Sequence, residues 1–185
     1  MALVFQYGSN LSTVRLNGAD RLKGGAQVVG VARTVAKYHL AFTAWSEHNL
    51  CAAADLVADE GGRSIYGVLY EIPDDLVFGY HPQITLDRIE GEGHVYCRQW
   101  IAVMVDDNAS APLEAWTYQV MTPKWNLFTE IDYVRHLFIG MKEHGFPDEY
   151  QQYVMVRVLR NHPALQAALD ILLASLEDSC AGLSR

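Results

Sequence analysis

The chain has 185 residues, half of them hydrophobic and only 19% charged, which fits one globular domain with a substantial core and excludes a disordered chain. Its 14 basic and 22 acidic residues give a net charge of −8 with no basic run, so nucleic acid and anionic membrane surfaces are poor partners. Cys51, Cys97 and Cys180 are odd in number and widely spaced, forming neither a disulfide framework nor a metal knuckle. The start lacks a basic region and a long apolar run, and no segment reaches the ~20 apolar residues of a membrane span; a reduced, cytoplasmic setting is expected.

In chain order, Leu3-Val4-Phe5 reads as a short strand that leads through Gln6 into Tyr7-Gly8-Ser9-Asn10-Leu11. Gly8 permits a sharp turn there, Ser9 and Asn10 are candidate caps, and a helix pattern follows through Val14, Arg15 and Leu16. After Gly24-Gly25 a β-rich region begins, with strands expected over 27–32, 38–44, 52–58 and 64–72, and with Asp59-Glu60-Gly61-Gly62 as a hairpin loop. Pro73-Asp74-Asp75 opens a helical or irregular stretch, and a short helix is expected from Leu86 to Glu90. Two further strands, over 94–105 and 113–121, flank a polar turn at 106–110. From Glu130 the apolar period becomes helical: Ile131, Val134, Leu137, Phe138 and Met141 share a face that ends at Gly145-Phe146-Pro147. Asp148 starts a second helix, and Asn161-His162-Pro163 caps a third. Strands first and helices last predict an α+β fold with a small, mainly antiparallel sheet or barrel flanked by helices, in a single domain over 1–185. Residues 160–185 form a C-terminal helical extension, whose apolar face leaves room for a homodimer.

The turn after Phe5 directs backbone N–H groups and a helix start to one point, a cradle for a carboxylate or phosphate. Competing chemistries lack their signatures. There is no HExxH, and His136 and His144 read as helix-surface residues; Gly-x-Ser-x-Gly, the dinucleotide fingerprint and the phosphate-loop motif are absent. Glu90 is the remaining acid/base candidate, because a carboxylate beside the apolar Leu86 and Ile89 loses hydration and becomes more basic. Asp87, one turn earlier, is placed to share its face.

Tyr7-Gly8-Ser9-Asn10-Leu11 and Leu86-Asp87-x-x-Glu90-Gly91 resemble the two signatures of the gamma-glutamylcyclotransferase-like family. Further stretches extend the likeness over residues 4–153. Arg15-Leu16 follows the turn at the family spacing, and Gly30-x-Ala32 with Tyr38-x-Leu40-x-Phe42 is similar to its second strand pair. The stretches 66–72 (YGVLYEI) and 140–150 (GMKEHGFPDEY) resemble a later strand and a late helix–turn–helix. The resemblance implies a small mixed barrel and cleavage of a γ-glutamyl amide into 5-oxoproline and a free amine, with no cofactor or metal. By the same likeness the turn from Tyr7 and Gly8 through Ser9, Asn10 and Leu11 holds the substrate α-carboxylate by main-chain N–H groups. Glu90 is then the acid/base, Tyr96 and Tyr133 line the pocket, and Asn10 places the chain nearer the γ-glutamyl amino-acid branch. The wall around the leaving amine is expected from the loop after Trp100 and from residues 122–128, including Trp125 and Phe128. Two other readings stand beside this one: a non-catalytic small-acid-binding or regulatory protein that kept the pocket, and an amide hydrolase using Ser9.

Overall fold

The computed structural model describes residues 1–105 and 111–181. The expected polar turn at 106–110 lies outside the described residues. Five strands close a barrel in the order β1 (Ala2–Gln6), β5 (Tyr66–Ile72), β2 (Gln27–Thr34), β6 (Tyr96–Val105) and β7 (Leu113–Val120). All neighbours are antiparallel except β1 and β7, which touch in parallel at Val4 and Trp116. The α+β class and the small mixed barrel read from the sequence are therefore present. Val4, Phe5, Val68, Leu69, Val103 and Ala115 are all buried; because successive strand residues face opposite sides, β1 and β5 are covered on both faces, inside the barrel and outside it.

The remaining strands, β3 (Tyr38–Ser46) and β4 (Cys51–Ala58), form a separate antiparallel ribbon from Tyr38–Ala58 to Ser46–Cys51. Two sequence expectations are corrected here. The glycine-rich stretch at 59–62 is not a hairpin loop: β4 turns back on β3, and the stretch carries the chain from ribbon to barrel. Likewise β2 and β3 are not a strand pair, because β2 lies between β5 and β6. Local composition cannot tell these pairings apart, since register is decided by which apolar faces meet.

The sharp turn after β1 is a 3-10 turn, Ser9–Leu11, followed by the short helix α1 (Thr13–Leu16). The cap is Ser12, whose hydroxyl accepts from Arg15 N, and not Ser9 or Asn10. Two short helices follow β5: α2 (Asp74–Val77) and α3 (Leu86–Glu90). Thr85 caps α3 at its start, and Gly91 ends it in the left-handed region at φ 69°, where a side chain is disfavoured.

The late helices are α4 (Ile131–Glu143), α5 (Asp148–Asn161) and α6 (Gln166–Ala181), with a 3-10 turn at Pro163–Leu165. Asn161 is not part of a cap for the last helix; it ends α5 and accepts from Thr129 N. Leu165, Leu169 and Leu172 are buried, so the apolar C-terminal helix turns its main face onto this chain, against α4. Among the described residues no helix is long and apolar enough to cross a membrane.

One contact fixes the turn. Helix α4 lies directly on the Ser9–Leu11 segment, and a Cβ at Gly140 would stand 2.5 Å from Leu11 Cβ and 2.6 Å from Ser12 N. Alanine in a helix interior normally stabilises by about 1 kcal/mol over glycine. Gly140→Ala is expected to do the opposite here, lowering unfolding free energy in urea by about 1–3 kcal/mol through overpacking.

Candidate active site

The end of β1, the turn after it, the end of α3, the ribbon tip and the first residues of α4 surround one cavity of about 440 Å³. Of the residues singled out from sequence, Tyr7, Gly8, Ser9, Asn10, Glu90, Tyr96 and Tyr133 all line it. Leu11 does not. Its side chain is buried beneath α4, and its N–H is bonded to Gly8 O at 3.0 Å, so the amide cradle narrows to the residues before it. Gly8 has φ −100°, a conformation open to other residues; what it supplies is space, because a Cβ there would lie 3.3 Å from Tyr133 Oη and 3.5 Å from Ala54 Cβ.

The two signature segments meet directly. Asn10 Nδ2 donates to Glu90 Oε1 at 2.8 Å across eighty positions of sequence. Arg21 Nη1 in turn donates to Asn10 Oδ1 at 2.8 Å. The Glu90 carboxyl is half-buried and opens on the cavity. Burial is the main influence on it and raises its pKa above the ordinary glutamate value; the Asn10 hydrogen bond, the Arg21 and Arg15 charges and the nearby Gln6 amide pull the other way. Gln6 Nε2 is buried and forms no well-shaped hydrogen bond, leaving a donor beside the carboxyl and the cavity.

Asp87 does not share Glu90's surroundings. It points to the other side of α3, where Arg98 Nη1 binds both its oxygens, Tyr118 Oη donates at 2.7 Å and Gly79 N donates at 2.6 Å. Arg98 also lies over the Phe78 and Trp116 rings. Asp87 thus anchors α3 to β6 and β7, a structural task in place of the paired-carboxylate role suggested by spacing.

Besides Tyr118, which is committed to Asp87, three buried tyrosines line the inner wall, and burial raises the pKa of each: Tyr7 and Tyr96 well above the usual phenol, Tyr133 to about 12. All three are neutral hydroxyls at physiological pH. Tyr7 Oη donates to Tyr118 O at 2.5 Å and Tyr96 Oη donates to Ala54 O at 2.8 Å. Tyr133 Oη accepts from Ala54 N at 2.8 Å and is approached by Ser9, so its own proton is the one these contacts leave uncommitted. Both backbone groups of Ala54 are therefore gripped by tyrosines, which ties the ribbon to β6 and to α4.

The cavity mouth differs from the sequence expectation. Trp100 and residues 122–128 do not line it: Trp100 stacks on Trp116 at 3.6 Å on the barrel exterior, and Trp125 and Phe128 are exposed elsewhere, while the loop that follows β6 lies outside the described residues. The ribbon tip forms that wall instead, through Trp45, Ser46, Glu47, His48 and Asn49, with Asp20, Arg21 and Arg88 opposite. Sequence reasoning missed this tip, because nothing local shows that β3 pairs with β4, and it missed Arg21 and Tyr118, which no motif marks and which reach the cavity from the turn before β2 and from β7. The histidines also move. His136 is half-buried and accepts from Arg15 Nη1 at 2.9 Å, while burial and the neighbouring arginines lower its pKa to about 4. His144 is largely buried beside Thr13 at 3.0 Å. Neither is a helix-surface residue.

A family model described as gamma-glutamyl cyclotransferase, AIG2-like, matches residues 4–135. Among curated proteins none matches the chain in sequence. A solved structure named gamma-glutamyl cyclotransferase is 23% identical with a TM-score of 0.69, the match covering 82% of this chain and 84% of that one. An uncharacterized protein from Homo sapiens is 24% identical with a TM-score of 0.68 and the same coverage of each chain. YkqA from Bacillus subtilis is 22% identical with a TM-score of 0.64; the match spans 85% of this chain and 54% of YkqA. At these identities the structures share the fold. Since the family model covers well over half of the sequence, the chain belongs to the gamma-glutamyl cyclotransferase, AIG2-like family.

Proposed function

We propose that the protein is a γ-glutamylcyclotransferase that closes the γ-glutamyl group of an amide substrate into 5-oxoproline and releases the amine, with Glu90 as general acid/base. The observation that carries this reading is the Glu90 carboxyl itself: it opens on the cavity and is bound to the turn through Asn10. Such a reaction needs no protein nucleophile. Glu90 takes a proton from the substrate α-ammonium, and the freed nitrogen lone pair attacks the γ-carbonyl carbon to form the ring C–N bond. The resulting oxyanion collapses and the amide C–N bond breaks as the carboxylic acid returns its proton to the leaving nitrogen; the ring nitrogen then gives up its second proton through Glu90 to the freed amine, leaving a neutral lactam and an ammonium ion.

Burial that makes Glu90 more basic, with donors that keep its ionised form available, suits both halves of this cycle. The turn amides before Leu11 are placed to hold the substrate α-carboxylate. Fixing that end and the reacting carbonyl selects the cyclising conformer, and well-oriented intramolecular attack is worth about 7–11 kcal/mol. Tyr133 is the donor proposed for the oxyanion, because the Tyr7 and Tyr96 protons go to backbone carbonyls. Ser9 interacts with Tyr133, which supports a substrate-contact role for its hydroxyl in this reading.

Glu90→Gln is expected to lower 5-oxoproline release from γ-glutamyl amino acids by about 10²–10⁴-fold with the circular dichroism spectrum unchanged, the range for loss of a general acid/base. Full activity in that variant removes Glu90 from the mechanism. The same change bears on stability. Because the folded pKa is raised, ionising Glu90 destabilises the fold, and this penalty grows as pH rises from the ordinary value of 4.5 through the raised one. Glu90→Gln therefore raises Tm at pH 7–8, and the difference from wild type closes below about pH 4. Tyr133→Phe is expected to reduce kcat by about 10²–10³-fold, the effect of losing one oxyanion donor, with a smaller change in KM.

A further inference from the structure

We infer that Arg21 is a positioning residue for Glu90, acting through the side chain of Asn10. Resting on the cyclotransferase reading, this names a residue outside the two signature segments as the one that sets the orientation of the acid/base.

The chemistry of the three groups fixes the direction of the relay. A guanidinium has only donors, so the atom of Asn10 facing Arg21 at 2.8 Å is the carbonyl oxygen. That leaves the Asn10 NH₂ toward Glu90 Oε1, also at 2.8 Å. With its oxygen occupied, Asn10 offers Glu90 donors alone, and a carboxylate accepts them while a carboxylic acid competes poorly. Turned over, the amide would set its oxygen against the carboxylate. Arg21 therefore decides which protonation state of Glu90 the amide supports.

Arg21 is held firmly enough to do this. It sits in the turn between α1 and β2, where Arg21 N donates to Gly18 O at 2.9 Å and Leu22 N to Leu16 O at 3.1 Å. The next side chain, Leu22, is buried in the core. Asn17 clasps the far end of the loop through two bonds to the Ala26 backbone, at 2.8 and 2.9 Å. An arginine on a clasped loop loses less freedom in holding one geometry than one on an open loop.

The other groups around Glu90 do not duplicate this contact. Arg15, on α1, is turned to His136 and Asn49 and acts on Glu90 only as a charge. Tyr7 at the end of β1, Tyr96 on β6, Tyr118 on β7 and Tyr133 on α4 are neutral phenols. On α3 itself Asp87 is bound to Arg98, while Arg88 is exposed at the rim of the cavity. Burial pushes Glu90 toward the acid, and the Asn10 contact with the Arg21 charge opposes it.

The test is the ¹³C titration of the Glu90 carboxyl, assigned by its loss in Glu90→Gln, in wild type and in Arg21→Gln. Arg21→Gln is expected to move the Glu90 midpoint upward by about one pH unit; an unmoved midpoint overturns the inference. This readout needs no turnover, so a protein inactive on every γ-glutamyl substrate sinks the functional reading and leaves this result standing. In active protein, the acidic limb of kcat/KM moves up by the same amount, giving about tenfold lower activity on the acidic side. KM changes less than kcat, and Arg21→Lys recovers part of the loss. A large rise in KM at unchanged kcat means that Arg21 holds substrate directly, which overturns the positioning role. In an Asn10→Ala background the midpoint shift caused by Arg21→Gln is expected to shrink; a shift of full size there shows that Asn10 is not the relay and also overturns it.

Discussion

The hydrogen bond from Asn10 to Glu90 joins segments eighty residues apart, and most of the molecule can be understood as what keeps its two ends in place. One end is held from above, where α4 presses a helical glycine onto the 3-10 turn so closely that not even a methyl group fits between them. The other is held from below, where Asp87 fastens α3 to β6 and β7 through Arg98 and Tyr118. Barrel closure supplies the frame, because β1 delivers the turn and β6 and β7 receive the helix. Remove any one of these contacts and a carboxyl with a fixed partner becomes a carboxyl with many.

The inner wall shows how a polar site is kept inside an apolar protein. Tyrosine rings contribute buried surface, and their hydroxyls satisfy backbone groups that the ribbon and barrel leave open, most plainly at Ala54. A phenol hydroxyl is neutral under these conditions, so the wall carries hydrogen-bonding capacity without a charge to desolvate. Glu90 is the exception. Its destabilising burial is offset by Asn10, Gln6 and two arginines, and that balance is the kind expected at a site where stability yields to chemistry.

Electrostatics at the cavity runs against the chain as a whole. The net charge is −8, yet Arg15 and Arg21 stand near one carboxyl, and His136 on α4 is kept neutral by burial and by their charges. A global sign says how the protein behaves toward polyanions; it says little about a pocket in which a few half-buried groups set the local potential. The mouth, where Glu47 of the ribbon tip lies opposite Asp20, Arg21 and Arg88, is mixed in sign.

Much of this was legible in order along the chain. The strand that ends at Tyr7-Gly8-Ser9-Asn10, the short helix ending at Glu90 and Gly91, and the helical period after Glu130 are local patterns, and local patterns survive folding because backbone geometry and hydrophobic periodicity create them. The α+β class, the cavity-lining role of Tyr96 and Tyr133 and the meeting of the two signature segments followed from those patterns and the family likeness they carry. What the sequence could not reveal were partnerships: β4 with β3 instead of β5, Asp87 with Arg98 instead of Glu90, His136 with Arg15 instead of solvent, the ribbon tip at the mouth in place of the Trp125 segment. Each depends on which surfaces meet once the chain has closed, and a residue's type limits its partners without choosing among them. The same is true of Gly8, whose value is the room it leaves for a tyrosine more than a hundred residues away.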